Sequence, residues 1–314
     1  MNNFEKIQDF LRLKAELNSK LKHLSYSGTV EIKESKGNKY LYLRNRVNGK
    51  LNSKYIDTYT DDLYLLLLKV TKEAKEIKKN IKKIEKELIQ LDYFQSDLPK
   101  EVLLNLDFAR ANLKNLIYDQ AILEGIATTF PDTETIIERG KINNMNVEDV
   151  LKILNLKHSW DFILDKDVIS SNSHYHILCH ITKLINEGLY QNGGKIRNVP
   201  VRIGGTTYVP DIPLEAIVIE EINEILSSDE EDIYIAIKLC LYCMKKQIFI
   251  DGNKRASIIF ANHFLISKGM GIIVVPFDKV PDFKKLLVLY YEDKENSFNN
   301  ISKFMIDYCW SKFE

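Results

Sequence analysis

The chain has little of what would tie it to an oxidising compartment or a bilayer. Four cysteines in 314 residues are too few for a disulfide scaffold. Cys240 and Cys243 stand three apart in a segment expected to be a buried helix. No second pair completes a zinc or redox site, so they read as small buried hydrophobes. His174, His176, Cys179 and His180 cluster in sequence, yet on a helix they spread over more than one face, and no distant ligand set joins them. Packing and helix initiation is the plainer reading. Net charge is also lacking, with 44 Lys and Arg against 44 Asp and Glu, which excludes a uniformly basic coat for nucleic acid. The longest apolar runs, Leu65 to Leu68 and Gly271 to Phe277, fall far short of a membrane span, and the start, Met1 to Lys6, is polar. These features predict a soluble, cytoplasmic protein with reduced thiols and no membrane partner.

What is present is unevenly spread. The length predicts two or three domains. Residues 1–60 hold 12 Lys and Arg against 6 Asp and Glu, so an anionic partner would be met there. Residues 4–24 predict an amphipathic helix with Phe10, Leu13, Leu17, Leu21 and Leu24 on one stripe. From Gly28 to Tyr59, three short β-rich runs are separated by Lys36-Gly37-Asn38 and by Val47-Asn48-Gly49-Lys50, the second a two-residue hairpin signal. A small three-stranded antiparallel sheet is expected. Tyr40, Tyr42, Arg44 and Arg46 alternate with Leu41 and Leu43, giving one aromatic and basic face. That face is either an ordinary solvated surface or, over residues 28–59, a nucleic-acid contact.

Leu63, Leu67, Val70, Ala74, Ile77, Ile81, Ile84, Leu88 and Leu91 then repeat at 4-3 spacing, a long helix with a coiled-coil seam. The seam closes either on the first helix or on a second copy of the chain. The small sheet and one helix look too short to cover it, which favours a homodimer through residues 63–91. The stretch from Leu91 to Pro99 breaks the heptad. It divides a module at 1–95, for interaction or nucleic-acid contact, from a domain at 96–314. Glu101 to Ile126 predicts one helix. The remainder reads as helical apart from a hairpin near residue 200 and a strand around Gly271 to Val275, so the fold class is mainly α.

Residues 247–255 carry the most chemistry: Gln247-Ile248-Phe249-Ile250-Asp251-Gly252-Asn253-Lys254-Arg255. An apolar helix precedes them, and Ala256 to Ser267 predicts another after them. The turn between suits a polyphosphate. Gly252 permits close backbone approach, Asn253 caps, and the free N–H groups of a helix start favour anions. Asp251 offers oxygen to a hard divalent cation, and Arg255 forks onto phosphate.

This run resembles the signature of the Fic family, His-x-Phe-x-[Asp/Glu]-Gly-Asn-[Gly/Lys]-Arg-x-x-Arg. Phe249, Asp251, Gly252, Asn253, Lys254 and Arg255 match; Gln247 stands at the His and Ile258 at the closing Arg. Two other segments resemble the family. Gly194 to Pro210 reads as a hairpin with Val199, Val201 and Ile203 alternating before Gly204-Gly205, like the family's flap. Glu124-Gly125 resembles the end of its inhibitory helix, with Gln120 where that pattern has Ser or Thr. The resemblance covers residues 100 to 314 and implies a helical bundle with a β-hairpin flap. It implies transfer of AMP, or another phosphate-containing group, from ATP or another nucleotide to a protein hydroxyl. The resemblance further places Mg²⁺ on Asp251, phosphates on Gly252, Asn253, Lys254 and Arg255, regulation at Glu124 and Gly125, and an unidentified target protein on the flap through Val199, Val201 and Ile203. The family's His is the general base, a role that a carboxamide at Gln247 does not fill at neutral pH. Three readings follow: a transferase weakened by loss of its base, a non-catalytic nucleotide sensor or regulator, or a Fic-like scaffold whose N-terminal sheet works on nucleic acid.

Overall fold

Residues 3–24, 26, 28–47, 50–91, 93, 98–140 and 145–312 are described by the structure, a computed structural model. Two units divide the chain, Met1–Phe94 and Gln95–Glu314. The first holds α1 (Asn3–His23), β1 (Thr29–Ser35), β2 (Asn38–Val47), β3 (Lys50–Thr58) and α2 (Asp61–Gln90). The strands form one antiparallel sheet in the order β1-β2-β3. Lys36 and Gly37, at φ of 51° and 80°, turn β1 into β2 with the positive-φ pair that a two-residue hairpin demands. The Asn48-Gly49 turn and the Arg46 side chain lie outside the described residues. Leu41 and Leu43 point inward and are buried with Leu67 of α2. On α2, Thr60 caps the start by accepting the Leu63 N–H, and Asp61 and Asp62 occupy the first turn, where acid complements the helix dipole.

The heptad seam closes within one chain. Leu67, Ala74, Ile77, Ile81, Ile84 and Leu88 are all buried. Helix α1 packs along α2, with Leu11 in one cluster with Ile84 and Leu88. The apolar stripe that favoured a homodimer is therefore covered within the chain, by the sheet at Leu67 and by α1 at Ile84 and Leu88. The stripe expected on α1 is rotated: Leu11 and Ala15 are buried, whereas Leu13 is 44% exposed. At about 100° per residue, Leu13 sits about 200° round from Leu11.

The second unit contains α3 (Lys100–Ala111), α4 (Leu113–Leu123), α5 (Phe130–Arg139), α6 (Val147–Ile163), α7 (Lys166–Ile169), α8 (Tyr175–Ile185), α9 (Glu215–Leu226), α10 (Asp232–Lys246), α11 (Asn253–Ser267), β4 (Ile272–Ile273), α12 (Val280–Tyr291), α13 (Ser297–Phe304) and β5 (Trp310–Ser311). The architecture is mainly α, as expected, with β4 and β5 paired antiparallel. The single helix expected from Glu101 to Ile126 is interrupted at Asn112, whose side-chain amide donates to the Phe108 carbonyl and competes with the backbone ladder. Helix α11 is the axis of the unit. It packs on α10, α8, α6 and α3, and from Arg255 to Ile266 every residue is buried. Two of its interior polar side chains are satisfied: the Asn262 amide exchanges bonds with both backbone groups of Ile273, and His263 meets Ser173 and the Val168 carbonyl. Among the described residues no helix is long and apolar enough to cross a membrane.

The segment expected as a hairpin takes a different form. Residues 199–209 run out and back around a turn at Gly204-Gly205 without strand pairing. The reason is visible at the tip. The Thr207 N–H and both threonine hydroxyls, of Thr206 and Thr207, donate to Glu292 at the end of α12, so the tip is tied to the bundle rather than to the opposite arm.

Candidate functional site

The turn between α10 and α11 is fixed by side chains from three directions. Helix α10 ends at Gln247 in the left-handed region, φ 48° and ψ 58°, and α11 starts from Gly252 at φ 81°. A Cβ on Gly252 would lie 2.8 Å from Ile185 Cγ2, so both the conformation and the close approach require glycine. Asn253 stitches the turn shut: its Oδ1 accepts the Phe249 N–H at 2.9 Å, and its Nδ2 donates to the Phe249 carbonyl at 2.7 Å and to Gln247 Oε1 at 3.1 Å. Asn186 holds the Asp251 carbonyl at 3.0 Å. Phe249 is buried while Ile250 is 52% exposed, so the chain passes Asp251 at the surface before re-entering the core.

The charged side of the turn is built on Arg255. This guanidinium side chain is 3% exposed, and its Nη2 donates to Asp251 Oδ2 at 2.6 Å. Its Nε lies 3.5 Å from Glu124 Oε2, and Lys254 Nζ lies 3.7 Å from Glu124 Oε1. Yet Arg255 Nε and Nη1, and Glu124 Oε1, are buried without a hydrogen-bond partner. Glu124 is delivered by the end of α4. There the Ile126 N–H bonds the Ala121 carbonyl and the Gly125 N–H bonds the Ile122 carbonyl, the paired closure that needs a left-handed residue after the cap. Gly125, at φ 80°, supplies it. Gln120 anchors the same helix by accepting the Trp160 indole N–H at 2.8 Å. Ile258 is fully buried and presents no charge. A cavity of about 130 Å³ opens beside Asp251, lined by Asn186, Gly193, Gly194, Phe249 and Ile250 among others.

The profile of the Fic/DOC family matches residues 173–265, the span from the turn before α8 to the end of α11. The chain carries a Fic/DOC domain. Members of this family typically transfer AMP or other phosphate-containing groups to proteins, and they generally bind a nucleotide such as ATP. Among solved structures, a Fic-domain-containing signalling protein from Bacteroides thetaiotaomicron is similar in fold at 17% identity and a TM-score of 0.54, over 68% of this chain and 88% of that one. Fic-1 from C. elegans is similar at 14% identity and a TM-score of 0.54, over 78% and 74%. Residues 4–65 match a domain of unknown function, DUF6788. No curated protein sequence matches the chain significantly.

Around this Fic/DOC domain the structure brings together Gln247, Asp251, Gly252, Asn253, Lys254, Arg255 and, from α4, Glu124. Of the flap residues, Val199 is 44% exposed and Ile203 packs on the core. Sequence reasoning missed Arg197. It is 1% exposed, and no carboxylate accepts from it. Instead it forks onto the carbonyls of Gln247, Val199, Pro210 and Asp211, while its own N–H bonds the Ile248 carbonyl at 3.0 Å. Burial holds its pKa below the usual guanidinium range. It therefore ties both ends of the flap to the motif turn. Nothing in the sequence distinguishes it from Arg202, which is exposed. The histidine and cysteine cluster packs among other side chains. His180 packs on the Phe162 ring at 4.4 Å, burial lowers the pKa of His174 and His180, and burial raises that of the Cys179 thiol.

Proposed function

We propose that the Fic/DOC domain binds a nucleotide with its phosphates at the start of α11, and that group transfer to a protein hydroxyl is slow in this chain. The observation that carries the reading is Arg255. Nε and Nη1 of a guanidinium almost sealed from water lack acceptors, at a helix start whose first N–H groups also lack intrahelical partners. Leaving such donors unmet is unfavourable, and a phosphate would satisfy both sets. Gly252 lets the backbone approach, Asn253 holds the turn rigid, and Lys254 adds a second cation. Residues for Mg²⁺ fit only sparely. Asp251 has one oxygen committed to Arg255, and among the described residues no cluster of three metal-ligating side chains exists. The metal would thus be held by Asp251, water and the nucleotide itself, the usual arrangement for Mg²⁺. It would supply charge neutralisation on the phosphates.

In AMP transfer the target hydroxyl oxygen bonds the α-phosphorus, pyrophosphate leaves, and the hydroxyl proton departs. Gln247 has both amide ends engaged, Nε2 to the Met244 carbonyl and Oε1 to Asn253, and a carboxamide takes no proton near neutral pH. The proton would pass to water, at a loss of about 10²–10⁴-fold in rate. The flap segment Val199–Ile203 would present the target by strand addition, since its arms do not use up their backbone groups on one another. The same engagement of Gln247 favours a second reading, a nucleotide sensor that does no transfer, with Glu124 and Gly125 as its regulatory element. Calorimetry with ATP and Mg²⁺ tests the shared premise. Binding should be measurable and Arg255→Ala should lose most of it; no binding by the parent to nucleotide or phosphate would end both readings. Labelled nucleotide incubated with lysate separates them, since only a transferase labels protein.

A further inference from the structure

The first unit carries a charge that the rest of the chain offsets. Residues 1–94 hold 20 Lys and Arg against 13 Asp and Glu, and residues 95–314 hold 24 against 31. On the sheet, three of the basic groups already have acidic partners. Glu31 lies 3.7 Å from Lys33 and 4.0 Å from Arg44, and Glu34 lies 3.5 Å from Lys39. Lys33 also sits over the Tyr42 ring at 4.4 Å, and Tyr40 and Tyr42 pack against Tyr55. The sheet is the weaker surface for a polyanion.

Helix α2 is the stronger one. Lys72, Lys75, Lys79, Lys82 and Lys86 are exposed and spaced 3-4-3-4, which keeps them within an arc of about 80° along about 21 Å of helix. None of the five forms an ion pair among the described residues, although Glu73, Glu76 and Glu87 flank them in sequence, and Glu85 is paired with Lys14 of α1 at 3.0 Å. Here Lys75 faces Lys79 and Lys82 faces Lys86 at i, i+4, an arrangement that destabilises an isolated helix and that a row of anions would relieve.

We infer that this lysine stripe is a contact surface for the phosphate backbone of double-stranded DNA. The dimensions agree: one strand of a duplex places about six phosphates along 21 Å of axis. A membrane surface fits less well, because an interfacial helix needs an apolar face beside its basic one, and the apolar face of α2 is buried in the seam. No exposed aromatic ring lies on the stripe to stack the bases of a single strand.

The test uses the full chain and a fluorescently labelled 20-base-pair duplex, with anisotropy read across a salt series. Five phosphate contacts predict a slope of log K against log salt of about −4.5. Lys75→Glu, Lys79→Glu and Lys82→Glu together should reduce the slope by about 3 and the affinity by well over tenfold. The matching Lys→Gln triple variant, checked by circular dichroism for unchanged helix, should show a smaller loss in the same direction. No duplex binding by the parent overturns the proposal, as does binding that the triple variants retain. Equal binding to polyglutamate at matched salt, or binding to anionic vesicles in place of the duplex, also overturns it.

Discussion

Glu124→Gln should tighten nucleotide binding, by an amount that can be worked from the site. The Glu124 carboxylate is 16% exposed and lies 3.5 Å from Arg255 Nε and 3.7 Å from Lys254 Nζ, beyond hydrogen-bonding distance from either. A phosphate that occupied the free Nη1 of Arg255 would place its charge about 6 Å from that carboxylate, where two unit charges repel by about 3 kcal/mol at an effective dielectric of about 20. Counter-ions and the partly open edge of the carboxylate reduce this to roughly 1–2 kcal/mol. The expected gain in affinity is therefore about 5- to 30-fold. Glutamine keeps the size of the side chain and one acceptor oxygen, so the closure of α4 at Gly125 is undisturbed. Calorimetry with ATP and Mg²⁺ at two salt concentrations reads the effect, which should shrink as salt rises. Unchanged or weaker binding would refute the account, because Glu124 would then be organising Arg255 rather than competing with phosphate for it. A gain beyond about 100-fold would refute it in the other direction: Ile258 gives Glu124 no third cation, so no larger restraint is there to release.

Gln247→His should raise protein labelling by about 10²-fold or more while leaving nucleotide affinity near its starting value, and histidine tolerates the left-handed backbone there; unchanged labelling with binding intact would show that the missing base is not the limit. Asp119 accepts the Phe277 N–H at 3.0 Å, and burial, with a smaller push from Asp278, raises its carboxyl to about 6. The folded pKa lies above the unfolded one, so this group's contribution is fully present below about pH 4 and is lost as pH rises to about 6. Asp119→Asn should therefore melt higher than the parent at pH 8 and converge with it, or fall below it, at pH 4; parallel melting curves across that range would count against the shift. Ile77→Glu with Ile84→Glu places two charges in a seam already closed within the chain, and should lower the unfolding free energy of the first unit by several kcal/mol without changing particle mass. A parent that is dimeric by light scattering at tens of micromolar, and that these changes dissociate, would reverse that conclusion.

The sequence exposed those parts of the fold that rest on local rules. The positive-φ turn at Lys36-Gly37, the 4-3 seam of α2 and the helix-turn-helix around Gly252 each follow from residue type at fixed spacing, and each is where it was expected. Which of the two candidates closes the seam was not legible: Phe10 and Leu17 of the expected α1 stripe do pack against it, but its most buried members are Gln8, Leu11 and Ala15, which that stripe omitted. The flap was misread for a similar reason. Alternating Val199, Val201 and Ile203 match the period of a strand, but Glu292, far away in sequence, takes the tip's donors. At the site, the turn between α10 and α11 was visible in its own residues. The Glu124 contact came only with the family resemblance, and Arg197, whose partners are all backbone carbonyls, left no sequence signal at all.

The motif turn is gripped at its backbone. The carbonyls of Gln247 and Ile248 are held by Arg197, that of Phe249 by Asn253 and that of Asp251 by Asn186. A turn fixed in this way is ordered before any ligand arrives, so a nucleotide need not offset the entropy of shaping it. Gln247 enters the grip mainly through its backbone: its carbonyl meets Arg197, and its left-handed conformation ends α10. Those two features do not depend on an imidazole. The backbone geometry of the turn and the side chain at 247 thus reside in different atoms, and a change of that side chain alters the second without dismantling the first. Because Arg197 also holds Val199, Pro210 and Asp211, any shift of the turn on phosphate binding would be felt at both ends of the flap. That coupling serves a transferase and a sensor equally well, which is why protein labelling, rather than binding, separates the two.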